Sequence, residues 1–507
     1  MIPTSAKYKA AMAAGTHVSL LMRIGVGIDV TAPDDVTAIT GSFLPMSSRD
    51  QALDSKYDMS NLCTFEGYGI PTADFQTVPP LSAAVIPIQA GLWSDVISSA
   101  DGSMDWTLSL TLGSSHSSAL TVFTRGAHIT HAIITYSLGG AVTATEDVET
   151  TGESLQVQTV HQYDSISIRV LSLDDAYRHV RISEIEFGAS VTISNSSLSG
   201  GVNLMCEVDP TWLTVPLNEL TFSILNEGFV YDYDSPDTLK RNVNLGMPVL
   251  LTFKVAVEGG YESIACGRYI IRSMDPGSGT IRITADDSRV IFTDVRAAWS
   301  IPVTQSLGDA LDDLCESLYM AHSCDLSLYS LYPPRDISFG ADTTYMQDLT
   351  NLMQLLDLQM IPDEGGYVVF RPHTSGGDYG NVDKSRMYCY PQKQTNYSQY
   401  NYIRVSYGES QHYDFDLRSQ DLNEAINQLA INNPLVKTEA EARRIAESVA
   451  SRLHTTELMV DWVGDLSLEV GDTVGFPGRW SEASPRTVMT QEMFYDGGMS
   501  MRTTVIE

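Results

Sequence analysis

The stretch Asp209-Pro210-Thr211-Trp212-Leu213-Thr214-Val215-Pro216-Leu217-Asn218-Glu219-Leu220-Thr221-Phe222-Ser223-Ile224-Leu225-Asn226 decides how this chain reads. Pro210 and Pro216 punctuate the lead-in, and Glu219–Leu225 then reads as a short strand. The alternation in Ile281-Arg282-Ile283-Thr284-Ala285 puts successive side chains on opposite faces of a sheet. Outward from it, short β-branched or aromatic runs recur: Val18–Ile28, Ala119–Phe123, Ile129–Tyr136, Ser165–Val170, Arg181–Phe187, Val249–Val257, Arg268–Ser273 and Gly279–Ala285. Turn clusters such as Leu138-Gly139-Gly140 and Asp275-Pro276-Gly277 separate them.

Helical spacing is expected only after about residue 300. Leu307, Ala310, Leu311, Leu314 and Leu318 predict a helix over 306–320 with Ser306 as N-cap. A second runs from about Thr344 to Met360, where Ile361-Pro362 disfavours continuation. The third is announced by Thr438 and Glu441 in a capping-box pattern, with Ala442, Ile445, Ala446, Val449 and Leu453 on one face. The fold class is therefore mainly β with smaller α+β parts. At ~100–200 residues per domain, 507 residues make about three or four domains.

Asp+Glu total 63 against 31 Lys+Arg, a formal charge of −32. That balance disfavours gripping nucleic acid or anionic lipid; a saline host would impose the same composition. No run approaches ~18 uninterrupted apolar residues, so no membrane span is expected. The six cysteines are scattered, without the density of a disulfide scaffold or the paired spacing of a zinc site, and read as reduced thiols. Lys7 and Lys9 before Ala10-Ala11-Met12-Ala13-Ala14 imitate a signal peptide, but His17, Ser19 and Arg23 interrupt it and no targeting segment is read.

No nucleophile elbow, P-loop or dinucleotide fingerprint occurs, so no cofactor is called for. His128 and His131 are three apart in a strand-like run, which sends their side chains to opposite faces and argues against a shared metal. The adjacent pairs Asp174-Asp175 and Asp312-Asp313 read as solvated faces rather than catalytic dyads. Nothing in the chain calls for an enzyme. From about Pro80 to Gly188 lies a self-contained block of regularly spaced strands, expected as a β-sandwich or jelly roll inserted into a strand-rich domain. Its Trp93, Trp106 and Tyr136 could stack on the apolar face of a sugar, or fill the sandwich core.

The opening stretch, through Asn226, resembles a segment of tail hub proteins from phages of Gram-positive bacteria. The likeness continues in order. Gly246, Val249–Val257, Gly267-Arg268-Tyr269 and Ile281–Asp286 follow, then Thr343–Leu349 with the turn Asp363-Glu364-Gly365-Gly366 and the strand after it. Asn433-Pro434 precedes the third helix, Leu468-Glu469-Val470-Gly471-Asp472 has Val470 in place of the family's proline, and Gln491–Met499 is similar to the family's closing strand. The resemblance covers about residues 1–80 and 190–507. It implies a baseplate-hub fold of two tube-like β-domains: 1–80 and 190–300 forming one hub domain, 301–376 a small α+β domain, and 377–507 a second tube-like domain. Residues 81–189 resemble a galactose-binding-like, discoidin-type jelly roll through Trp93–Ser98, Asp101-Gly102 and Arg181–Gly188.

What the resemblance implies is a structural virion protein at the phage tail tip, assembled in the host cytoplasm. It would be a homotrimer that caps the tail tube, with a distal tail protein ring, tube and tape-measure proteins and receptor-binding or fibre proteins as partners. The family's members often continue into a peptidase, a lysozyme or a fibre, whereas this sequence stops at Glu507 after its closing strand, which puts cell-wall lysis in doubt. Host surface glycans would be ligands only through the jelly roll, and an acidic glycan hydrolase is the third alternative. Carboxylates lining a tube would let DNA in transit slide without sticking.

Overall fold

The computed structural model describes residues 1–26, 36–44, 92–294 and 303–506. Excepted within those limits are 125–126, 151–153, 210–213, 233, 236–239, 241–242, 259, 317–319, 321, 325–334, 338–342, 364–365, 373–375, 394–399, 409, 419–424 and 454–456. Pro210, Leu213, Glu364 and Gly365 of the sequence motifs fall outside the described residues. The fold is mostly β, and the chain divides into two compact units. One comprises Met1–Met22, Ile193–Glu227 and Val249–Glu507; the other comprises Arg23–Thr192 and Gly228–Pro248.

The larger unit is built on a long antiparallel path. In hydrogen-bonded order it runs Gln392–Lys393, Glu457–Trp462, Met499–Ile506, Pro485–Tyr495, Val202–Glu207, Glu219–Leu225, Thr280–Asp287, Gly260–Pro276 and Pro248–Val257. Glu219–Leu225 is a strand, as its sequence reads, and it alternates, with Leu220, Phe222 and Ile224 fully buried or nearly so. Val202–Glu207 pairs with Thr490–Tyr495 over six residues, so the segments 190–300 and 377–507 share one sheet.

A second core in this unit is α+β. Helices Leu307–Glu316, Tyr345–Leu356 and Glu439–Leu453 pack their apolar faces with the small sheets of Leu358–Pro362 with Val368–Pro372 and Tyr402–Tyr407 with Gln428–Asn432. The middle helix is shorter than its periodicity predicts. Asp357 takes a left-handed conformation (φ 61°) and closes the helix, and Leu358–Pro362 continues as a strand. Two short helices were not expected before residue 300, Ala6–Ala14 and Ile291–Asp294. The first is capped by Ser5 and ended by Gly15 in the left-handed region, but buries only Tyr8 and Met12, too few to leave a periodic signal.

The smaller unit is a sandwich folded from one ribbon. Strands Ser103–Thr124 and Ser154–Leu173 pair antiparallel along most of their length, with register breaks between Thr111 and His116 and between Ser118 and Leu120. On one side of the breaks the ribbon is flanked by Val36–Gly41 and by Ile129–Leu138, which pairs in turn with Ala141–Glu149. On the other side His179–Glu186 joins Ser103–Thr124, and Leu92–Ile97 pairs with His179–Glu186. Bulges bend a ribbon, and here both halves close on a single apolar cluster containing Leu108, Leu110, Leu120, Val122, Ile166 and Ile168. The hairpin at Gly139-Gly140, both at positive φ, is the two-residue turn whose twist matches paired strands.

Candidate functional site

In the sandwich, Trp93, Trp106 and Tyr136 are 2%, 3% and 0% exposed. The Trp106 ring packs edge-on against Phe43, and its indole N–H donates to the Ser42 carbonyl at 2.8 Å. Trp93 lies beneath the Arg181 guanidinium, 4.8 Å from its ring centre. Tyr136 stacks between His161 and Tyr163, with its hydroxyl buried and without a partner. Stacking on a sugar needs an exposed ring face, and none of the three has one. His128 and His131 meet different partners: His131 Nε2 meets Asp147 at 2.7 Å, while the His128 ring, just before the strand Ile129–Leu138, approaches Thr124. Among the described residues no group of three His, Cys, Asp or Glu could hold a metal ion.

The larger unit gathers its sequence motifs at one place. Asn218 ends the proline-punctuated lead-in; its backbone N–H donates to Asp287 Oδ2 at 2.5 Å, and its carbonyl accepts from the Asp287 N–H at 3.0 Å. Asp287 leaves the strand Thr280–Asp287 and caps the tight turn Ser288–Val290. Its carboxylate takes a bidentate grip on Arg289, Nε to Oδ1 at 2.9 Å and Nη2 to Oδ2 at 2.6 Å. Arg289 also donates to the Met360 carbonyl at 2.7 Å and to Asn218 Oδ1 at 3.3 Å. Both charges are almost wholly buried, at 1% and 2% exposure. A buried ion pair is tolerated when the remaining lone pairs and protons are also bonded, as they are here.

Beside this cluster stands the turn Glu469-Val470-Gly471-Asp472. Asp472 is fully buried and accepts from the backbone N–H groups of Gly377 at 2.7 Å and Glu469 at 2.8 Å. Gly471 has φ +84° and its carbonyl lies so close to Gly376 that a side chain there would collide with it. Arg371 donates to the Val470 carbonyl at 3.0 Å. Tyr8 of the N-terminal helix donates to Asp465 at 2.8 Å and accepts from the Leu466 N–H, which ties that helix to the same loop.

Between these parts lies a cavity of about 80 Å³. Asn218, Arg268, Tyr269, Glu469, Gln491 and Met493, all from motif stretches, contribute to its wall. Burial pushes the Cys206 thiol, also in the wall, up to about 12. It pulls the Arg268 guanidinium below the usual arginine range. Tyr269 donates to the Cys266 carbonyl at 2.8 Å, and burial holds its hydroxyl well above the ordinary tyrosine range. Sequence reading singled out Asp286, but the buried acid is its neighbour Asp287. The local signal for it is an Asp at the end of a strand followed by Ser-Arg, the pattern of a capped turn.

No protein-family model and no curated protein sequence matches the chain. In three dimensions it is similar to the tail protein from Neisseria meningitidis, with 12% identity, 63% of this chain and 94% of that one covered, and a TM-score of 0.43. It is similar to the prophage MuSo2 43 kDa tail protein from Shewanella oneidensis, with 11% identity, 61% and 94% covered, and a TM-score of 0.42. Similarity extends to the family 32 carbohydrate-binding module from C. perfringens NanJ in complex with galactose, with 11% identity, 34% and 99% covered, and a TM-score of 0.20.

Proposed function

We propose that this chain is a structural virion protein of a phage tail, the trimeric hub that closes the distal end of the tail tube. The observation that carries the reading is the convergence of the hub-like motifs. Asn218, the end of the strand Thr280–Asp287 and Met360 are bonded to one another through the buried Asp287–Arg289 pair. Motif residues from 218 to 493 surround one cavity next to it. Side chains sealed in this way fasten segments together, so the order of motifs serves a fastening geometry rather than a reacting centre. The work would be conformational, a trimer passing from a closed to an open state on host attachment so that DNA can pass.

In this reading the partners are two further copies of the chain, a distal tail protein ring, tube and tape-measure proteins, and receptor-binding or fibre proteins. Residues 81–189 would form an appended jelly roll facing the host. The acidic excess would serve solubility and, where it lines the tube, passage of DNA. On the strand face opposite the cavity, Glu207, Glu457, Asp461 and Glu492 stand against Arg502, which bonds Asp461 at 2.8 Å. That is the face we assign to the lumen.

Sedimentation velocity of the purified chain tests the assembly: trimers or rings are expected, and a monomer at high concentration overturns the hub. Electron microscopy of particles labelled on this chain then places it, with density at the tail tip expected. Glycan-array binding that disappears on deleting 81–189 would establish the jelly roll as a sugar-binding domain instead.

A further inference from the structure

The cavity beside the Asp287–Arg289 pair has donors that nothing in it answers. Gln491 is 6% exposed, lines the cavity, and its Nε2 has no hydrogen-bond partner. Arg268 lines the same cavity half-buried, and among the described residues its guanidinium has the Tyr367 hydroxyl as an electrostatic neighbour but no hydrogen bond or ion pair. The other charged groups around the cavity are already satisfied. Asp287 is held by Arg289, Asp363 accepts from the Tyr367 N–H at 2.8 Å, and Glu469 pairs with the amino group of Met1 at 2.6 Å. The Cys206 thiol, raised by burial, stays neutral and offers no competing anion.

A buried donor without an acceptor is destabilising, and Gln491 Nε2 is such a donor. Water could answer part of that, since one molecule needs only about 10–15 Å³ of such space. Much of the rest of the wall is apolar, however, with Leu204, Leu466, Met493 and Met501 among its residues. A group that satisfies a guanidinium and an amide N–H together while filling apolar space has a carboxylate head and a short apolar body. We propose that this cavity binds a small carboxylate on a branched or aromatic apolar body. It is presented either by a free short-chain acid or by the C-terminal residue of another chain. The site stands whether or not the chain is a tail hub.

Methyl NMR on the full chain labelled at methionine reads this directly, because Met493 and Met501 line the cavity while Met22 and Met353 lie elsewhere in the same unit. Sodium 3-methylbutyrate is expected to shift the Met493 and Met501 methyls saturably, with 3-methylbutan-1-ol at least tenfold weaker. Arg268→Gln and Gln491→Leu should each weaken the acid by about tenfold or more, the scale of one charge-assisted hydrogen bond. A short peptide ending in a free valine carboxylate, compared with its amide, separates the sources. Tighter binding of the free peptide than of the acid assigns a partner's C-terminus, and weaker binding assigns a small acid. Absence of a saturable shift, equal binding of the alcohol, or full affinity in a folded Arg268→Gln chain overturns the proposal. Should Arg268→Gln lose the Met22 and Met353 signals, the acid-against-alcohol comparison on the unaltered chain decides alone.

Discussion

Replacing Arg289 by Met keeps much of its aliphatic volume and removes the guanidinium. Three acceptors then lose the guanidinium as a donor: the Asp287 carboxylate, which keeps two backbone N–H groups, the Met360 carbonyl and Asn218 Oδ1. At 1% exposure Asp287 cannot recover those bonds from bulk water. Breaking a buried pair from one side costs about 3–5 kcal/mol, because an uncompensated charge is left behind. Asp287→Asn, which strands the Arg289 charge, should cost about as much. In the double variant neither charge remains, but the backbone N–H groups of positions 218 and 289 still look for an acceptor that Asn provides only in part. The double variant should therefore cost well under the sum of the singles, with a coupling of about 2–3 kcal/mol. Hydrogen exchange at the amides of Glu219–Leu225 and Thr280–Asp287 reports the free energy where the pair acts, without requiring the whole chain to unfold in one step. Single variants that add within about 0.5 kcal/mol, or an Arg289→Met cost under about 1 kcal/mol, would show that the pair fastens nothing.

Asp348, 1% exposed in the first turn of Tyr345–Leu356, has its carboxyl pushed up to about 6 by burial. Between its ordinary range and 6 the folded chain keeps a proton that the unfolded chain has released, so this group subtracts stability as pH rises through that window. The loss reaches about 3 kcal/mol above pH 6. Asp348→Asn should raise the thermal midpoint by roughly 5 °C at pH 7.5 and leave it unchanged near pH 4, and a gain equal at both pH values refutes the account. Tyr136→Phe removes the partnerless buried hydroxyl and should stabilise the sandwich by about 1 kcal/mol in urea denaturation, a loss counting against it. Gly376→Ala should cost about 1–3 kcal/mol or more, since the new Cβ would sit 1.8 Å from the Gly471 carbonyl; wild-type hydrogen exchange around Gly377–Thr473 would contradict that close approach.

Period-two alternation is a local signal, which is why Glu219–Leu225 is found where its sequence puts it and why Leu220, Phe222 and Ile224 face inward. Caps are local too: Thr344 and Gln347 close a capping box, and Thr438 with Glu441 exchange the same bonds one helix later. What alternation cannot carry is the identity of the strand next door. Val202 meets Tyr495 across 293 residues, 495 − 202, and nothing in either stretch names the other. The same blindness hid the site. Asp286 and Asp287 are equal as letters, and only the turn back toward Asn218 buries the second. Arg268 reads as an ordinary polar position in a strand; its lack of a hydrogen-bond partner among the described residues is a property of the walls around it, which come from segments near 206, 363, 469 and 491. Trp93 and Trp106 left two readings open for a related reason, because a large ring serves a core and a sugar platform equally well until exposure is known. Residue type offers chemistry, register decides which chemistry meets, and in this chain the decisive pairings are the ones farthest apart in sequence.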